Sequence, residues 1–300
     1  MTTETLDRPG AREGHIPVRG ARLYYRDIGE GMPIVILHGG PEFDHCYLLP
    51  EMDRLADSFR LIYYDQRGRG RSAEGVRAEE VGIRSDVEDL ESVRRWFELD
   101  SFAVLGHSWG GILAMEYAIN HPDRVSHLIL MNTAPASNQD LLQFRERLRR
   151  IRPAGDIEMM ESIKSTDLYQ DGDLEAEAEY YRIHFRASLP TAEHVDQVVG
   201  RLRTHFDNES VRKARAIEYR LYEQTWSSPD YDLVPALSAL DIPTLVLHGE
   251  HDFVAVEAAA RVAEAMPRGR LTVLPGCGHF SYLEFPDLVH THIRSFMRGT

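Results

Sequence analysis

Short apolar runs alternate with stretches of helical spacing through the first third of this chain. Residues 21–27 (ARLYYRD) are rich in β-formers and end in the turn residues Gly29 and Gly31. Residues 33–37 (PIVIL), 59–64 (FRLIYY) and 102–105 (FAVL) are near-continuous apolar runs of strand length, the form taken by parallel strands buried on both faces. Between the last two, Val87, Leu90, Val93 and Phe97 recur at helical spacing, and Ser85 followed three residues later by Glu88 predicts a capping box at the helix start. A second helix is predicted from Gly111 to about Asn120, stopped by His121-Pro122, and residues 125–131 (VSHLILM) form a further strand. Strand and helix in alternation predict an α/β fold, a mostly parallel central sheet with helices on both faces.

The alternation stops near Thr133. Residues 138–224 are helical and charged, with a basic block at 145–152 and an acidic block at 167–179, both of which read as solvated helix faces. Strand and helix then resume: 242–248 (IPTLVLH) as strand, 256–266 as helix, 270–274 as strand, 285–297 as a closing helix. The expected organisation is a core of residues 1–133 and 234–300 interrupted by a helical insertion, 134–233.

Composition narrows the function classes. The 300 residues carry 48 acidic against 34 basic side chains, and a formal net charge of −14 repels phosphate backbones, so no nucleic-acid partner is expected. No run of about 18 apolar residues suits a membrane span, and the polar residues 1–14 lack the apolar stretch of a secretory signal. Cys46 and Cys277 are too few for a disulfide framework, which together with the missing signal predicts a cytoplasmic protein. The oligomeric state is not written in these features.

Candidate chemistry begins at Gly106-His107-Ser108-Trp109-Gly110-Gly111, a G-x-S-x-G pattern. Three fixed residues would recur by chance in about one protein of this length in ten, so the context decides. Here the pattern follows an apolar strand and precedes a helix, the setting of a nucleophile elbow that projects Ser108 from a sharp turn. A serine hydroxyl needs a base, and the base needs an orienting carboxylate. Asp252 follows the strand at 242–248 and His279 follows the strand at 270–274, so three loops deliver three groups to the sheet edge where catalytic residues gather. Glu250 is the rival carboxylate but sits nearer its strand end than Asp252. His248 and His251 precede Asp252 in a His-x-x-His-Asp string, but no other cluster supplies the remaining ligands, and no metal or cofactor is expected. Acyl transfer also needs oxyanion donors: the backbone N–H of Trp109, and one from the His38-Gly39-Gly40-Pro41 loop, where Gly40 is best placed.

These residues resemble the α/β-hydrolases and, within them, the proline iminopeptidases. The likeness is carried by His38-Gly39-Gly40-Pro41, by Asp65-Gln66-Arg67-Gly68-Arg69-Gly70-Arg71-Ser72, by the serine motif, and by Gly249 to Asp252 with Gly278-His279. It implies an α/β-hydrolase fold, a helical cap over the site, and a serine peptidase that releases N-terminal proline from short peptides through an acyl-enzyme. In that group cap or loop glutamates bind the substrate's free amine, which makes Glu223, and Glu218 about a turn earlier, candidate substrate-binding residues. Two departures add further candidates: Glu42 stands where the group's loop usually has glycine, and Phe253 stands directly after Asp252, where some relatives carry glutamate. The alternative is a carboxylesterase or acyltransferase with the same triad and no free-amine requirement. Fold relatives with an aspartate nucleophile are disfavoured by Ser108. Cys277, close to His279, is expected to pack.

Overall fold

In the computed structural model, residues 10–299 are described; the first nine residues of the polar opening stretch and Thr300 lie outside them. The strands are β1 (Arg12–Val18), β2 (Ala21–Ile28), β3 (Pro33–Leu37), β4 (Arg60–Tyr64), β5 (Phe102–His107), β6 (Val125–Met131), β7 (Thr244–Gly249) and β8 (Gly269–Leu274). They make one sheet in the order β1-β2-β4-β3-β5-β6-β7-β8. The β1–β2 and β2–β4 pairings are antiparallel, and every pairing from β4 to β8 is parallel. The chain runs from β3 out to β4 and then crosses back to β5 on the other side of β3. That reversal opens a crevice at the carboxyl ends of β3 and β5, where Leu37 lies beside Gly106.

Alternate side chains of the central strands enter two different apolar clusters. Val35, Leu37, Val104, Leu128 and Val246 face one side, with α1 (Ile83–Trp96) and α2 (Trp109–Asn120) packed on them. Ile34, Ile36, Leu105, Ile129 and Leu247 face the other. Both faces are therefore covered, which is why β5 and β7 are buried at every position and read as continuous apolar runs. Each such Leu, Ile or Val contributes about 1.5–3 kcal/mol by leaving water. One strand went unread in the sequence and one expectation is corrected. The first strand, β1, is exposed and polar, and the apolar pattern missed it because it is an antiparallel edge. The capping box expected on Ser85 and Glu88 lies one turn earlier: Gly82 is the cap, the Ser85 hydroxyl meets its backbone, and Glu88 pairs with Arg84 on the exposed face.

After β6 the insertion forms α3 (Asn138–Ile151), α4 (Ala154–Lys164), α5 (Asp167–Gln170), α6 (Leu174–Phe185), α7 (Ala192–Leu202) and α8 (Asn208–Gln224). They share the apolar clusters of the sheet: Phe185, Val198 and Leu202 join one, Ile217 and Leu221 the other. The short α9 (Val234–Leu237) leads into β7, α10 (Val256–Ala265) links β7 to β8, and α11 (Ser281–Glu284) and α12 (Pro286–Arg298) close the chain. α10 covers the face of α1 and α2, and α12 the opposite face. Among the described residues no helix is long and apolar enough to cross a membrane.

Candidate active site

Ser108 connects β5 directly to α2 with φ 54° and ψ −119°, a left-handed conformation strained for a residue with a side chain. Three backbone hydrogen bonds hold it there: Ser108 N–H donates to Met131 O (3.1 Å), and its carbonyl accepts from Gly111 N–H (2.9 Å) and Ala134 N–H (3.1 Å). A Cβ at Gly110 would lie 2.2 Å from the Leu37 carbonyl, so only glycine lets the start of α2 press against the end of β3. The helix therefore begins at Trp109, two residues before the expected start. In its first turn the Trp109 N–H has no intrahelical acceptor.

His279 Nδ1 donates to both oxygens of Asp252 at 3.0 Å. Asp252 is fully buried and also accepts from Val254 N–H (2.8 Å) and Asn132 Nδ2 (2.9 Å). Burial alone would raise its pKa, but the nearby His279 and His248 and these hydrogen bonds hold it down at about 2. The rival Glu250 is exposed and accepts from the Gly276 N–H. His248 turns Nε2 to the Val254 carbonyl (2.9 Å), and Cys277 is a buried thiol against Gly278 and Glu284. Among the described residues no three His, Cys, Asp or Glu side chains converge as a metal-binding group.

Two residues that sequence reasoning missed tie this arrangement together. Asn132 follows β6 with φ 47°; besides Asp252 it donates to Gly278 O (2.9 Å) and accepts from Ser281 Oγ (2.6 Å), so it fixes both the carboxylate and the loop that carries His279. Its position at a strand end, like that of Ser108, was the available signal. Tyr47 offered none. Its hydroxyl accepts from Gly39 N–H and donates to His107 Nδ1, both at 2.7 Å, and His107 Nε2 donates to the His279 carbonyl at 3.0 Å. A carbonyl only accepts, which assigns the His107 tautomer; burial lowers its pKa to about 3 and keeps it neutral.

The Gly40 loop is braced from below by the Asp65–Ser72 segment. Gln66 bonds His38 through backbone N–H to Nε2 (3.0 Å) and through its amide to the carbonyl (2.8 Å), and buried Arg69 donates to Pro41 O (2.9 Å) while pairing with Asp86. Gly40 itself has φ 117°, and a Cβ there would sit 2.3 Å from the Glu42 nitrogen.

Ser108, Gly40, Trp109, His279, Phe253, Glu42 and Glu218 all line one cavity of about 520 Å³, roofed by side chains of α3, α6 and α8. Phe253 lies against the His279 ring with centroids 4.2 Å apart. Ser108 and His279 share this space without a hydrogen bond between them; such contacts commonly tighten only with substrate bound. Glu223 does not line the cavity. It is exposed and contacts Tyr219, because burial of Ile217 and Leu221 turns Arg215, Glu218, Tyr219 and Tyr222 to the cavity and carries Glu223 past that face.

The roof carboxylates differ from one another. Buried Glu177 pairs with Arg203 (2.9 Å) and with Arg215. Glu42 and Glu218 form no ion pair with a side chain among the described residues. Buried Glu42 accepts from Tyr181 Oη and leaves Oε2 without a partner. Glu218 is exposed to the open cavity. Desolvation, with Glu42 nearby, pushes its pKa well above the ordinary carboxylate value, and desolvation raises that of Glu42 too.

The family model of the alpha/beta hydrolase fold matches residues 32–286. The chain belongs to the α/β-hydrolase family. Within it, the chain is 30% identical over 294 residues to a proline iminopeptidase of Lactobacillus helveticus, covering 92% of this chain and 94% of that one. A proline iminopeptidase of Saccharolobus solfataricus is 25% identical over 95% of this chain and 92% of its own length. Among solved structures, the proline iminopeptidase of Mycobacterium smegmatis superposes with a TM-score of 0.71 at 23% identity, covering 96% of this chain and 98% of that one. A thermophilic esterase from Thermogutta terrifontis gives 0.66 at 24% identity, covering 96% and 99%.

Proposed function

We propose that this hydrolase is a serine aminopeptidase of the proline iminopeptidase type, acting on short peptides with a free amino terminus. His279, oriented by Asp252, takes the Ser108 proton as Oγ attacks the carbonyl, and the Gly40 and Trp109 amides receive the oxyanion. Collapse of the tetrahedral intermediate breaks the C–N bond, and His279 returns the proton to the departing nitrogen. Water, deprotonated by His279, then releases the acyl group. Helices α3 to α8 act as the cap that encloses the substrate, and a cytoplasmic location suits a supply of short peptides.

The observation that carries the amine requirement is the pair Glu42 and Glu218: two carboxylates facing one cavity, neither in an ion pair among the described residues, whose desolvation outweighs the attraction of the nearby Arg203. Ionised carboxylates in such a place favour a cation, and an N-terminal ammonium supplies one. The second reading is an esterase, favoured by Phe253, which puts an apolar ring where some relatives carry a glutamate. Hydrolysis of proline p-nitroanilide, its N-acetyl form and p-nitrophenyl butyrate separates the two. Cleavage of the free-amine substrate with little of the acetylated one is expected; fast ester cleavage without a free-amine preference would make the protein an esterase.

A further inference from the structure

Two series of ring contacts rise from the floor of the cavity and meet at one cation. On one side the Trp109 indole meets Trp226 edge-on at 5.3 Å, and Trp226 meets Tyr222 at 6.2 Å. On the other, His279 lies against Phe253, and Phe253 meets Phe144 at 5.5 Å. Arg145 joins them. It follows Phe144 on α3, its Nη2 donates to Tyr222 Oη at 2.6 Å, and its guanidinium stands 5.2 Å from the centre of the Tyr222 ring.

Arg145 lines the cavity, and among the described residues no carboxylate pairs with it. The other guanidinium lining the cavity, Arg215, is in an ion pair with Glu177, which it shares with Arg203. The basic block that begins at Arg145 thus contributes one unpaired positive charge to the site instead of only a solvated face. Its side of the site is also defined. A leaving group departs beside the histidine that protonates it, and Arg145 directly follows Phe144, whose ring meets Phe253 over His279, while Tyr222 ties it through Trp226 to Trp109. Glu42 stands on the opposite, oxyanion-loop side, two residues past Gly40. Tyr222, which holds Arg145, follows Glu218 by four residues on α8, so the two lie on one face of that helix and line the same cavity.

We propose that Arg145 binds the free C-terminal carboxylate of the leaving residue, so that the preferred substrates are dipeptides, held by their amine at Glu42 and Glu218 and by their carboxylate at Arg145. This rests on the aminopeptidase reading. Hydrolysis forms the Ser108 Oγ–acyl bond and breaks the peptide C–N bond, and the leaving amino acid takes the His279 proton on nitrogen while its carboxylate stays on Arg145.

The test compares kcat/KM for Pro-Gly and its C-terminal amide, Pro-Gly-NH2, in the wild type, Arg145→Gln and Arg145→Lys. A charge-assisted pair predicts roughly a tenfold preference for the free acid. That ratio should collapse toward one in Arg145→Gln and survive in part in Arg145→Lys. A substitution that merely loosened α3 would slow both substrates and leave the ratio intact, and that result would overturn the proposal. Equal rates for acid and amide in the wild type would also overturn it. Failure of the wild type to cleave Pro-Gly-NH2 and proline p-nitroanilide would bring down the aminopeptidase reading itself, and this inference with it.

Discussion

Asp252 at the sheet edge and Glu218 in the roof are both carboxylates close to the same cavity, and their surroundings push them in opposite directions. Asp252 receives hydrogen bonds from His279, Asn132 and Val254 and is held ionised at about 2. Glu218 has no ion-pair partner among the described residues, and desolvation with Glu42 nearby outweighs Arg203 and Arg215 and raises its pKa well above the ordinary value. The Asp252–His279 pair of the floor is thus internally satisfied: both Asp252 oxygens accept and His279 Nδ1 has its acceptor, as a preorganised group requires. The roof is not. Glu42 and Glu218 make no ion pair there among the described residues, so the floor is where the chemistry would reside and the roof is where substrate would be chosen.

The sharpest way to break this comparison is to remove the nucleophile. Ser108→Ala should lower turnover of any acyl substrate by about 10⁴-fold or more, with an unchanged circular dichroism spectrum, since the three backbone bonds that hold the elbow do not use the hydroxyl. Retention of near-normal turnover would remove Ser108 from the mechanism. A smaller effect is expected one step back. Asn132→Ala deletes the donor to Asp252 and to Gly278 and leaves Ser281 Oγ without its acceptor. Misplacing His279 by this route should cost about 10²-fold in kcat. KM should change little, because Asn132 does not line the cavity. Rescue by Asn132→Asp would show a role other than donation, since a carboxylate cannot replace the amide donor.

The floor was legible in the sequence and the roof was not, for a physical reason. Ser108 and Asp252 follow parallel strands buried at every position, visible as apolar runs because both their faces are covered, while His279 follows β8, a partly exposed edge strand that its parallel place beside β7 still aligns. The position of a residue along that register is enough to place it at the carboxyl edge of the sheet. Asn132 obeys the same rule and was overlooked only because an amide is not itself a triad member. The Asp65–Ser72 segment marked a resemblance in the sequence, and its work, bracing His38 and Pro41, emerges from the packing. The roof depends on helix phase, which the sequence leaves open until the core is known. At about 100° per residue, Arg215, Glu218, Tyr219 and Tyr222 fall on one face once Ile217 and Leu221 point into the core, and Glu223 falls beyond it. Tyr47 shows the same limit: only the tertiary fold brings its hydroxyl to Gly39 and His107.

Glu218→Gln gives the smallest effect and sharpens the comparison most, because it should move binding and stability in opposite directions. The amide keeps the side chain's shape and removes its charge, so the kcat/KM ratio of free-amine over N-acetylated substrate should fall. The stability change follows from linkage. A carboxyl whose folded-state pKa is raised holds its proton more tightly in the folded state, so the folded state is penalised as pH rises above the ordinary carboxylate range. Below that range both states are protonated and the penalty is absent. Glu218→Gln should therefore raise the melting temperature by on the order of 1–3 °C at pH 8 and leave it nearly unchanged at pH 4. The same measurement on Asp252→Asn should show the reverse dependence: a loss at pH 8, where the native carboxylate is ionised and hydrogen-bonded, that shrinks as pH falls toward 2. If both substitutions destabilised at pH 8, Glu218 would be a satisfied structural residue, and the roof would have no unpaired carboxylate at that position with which to select an amine.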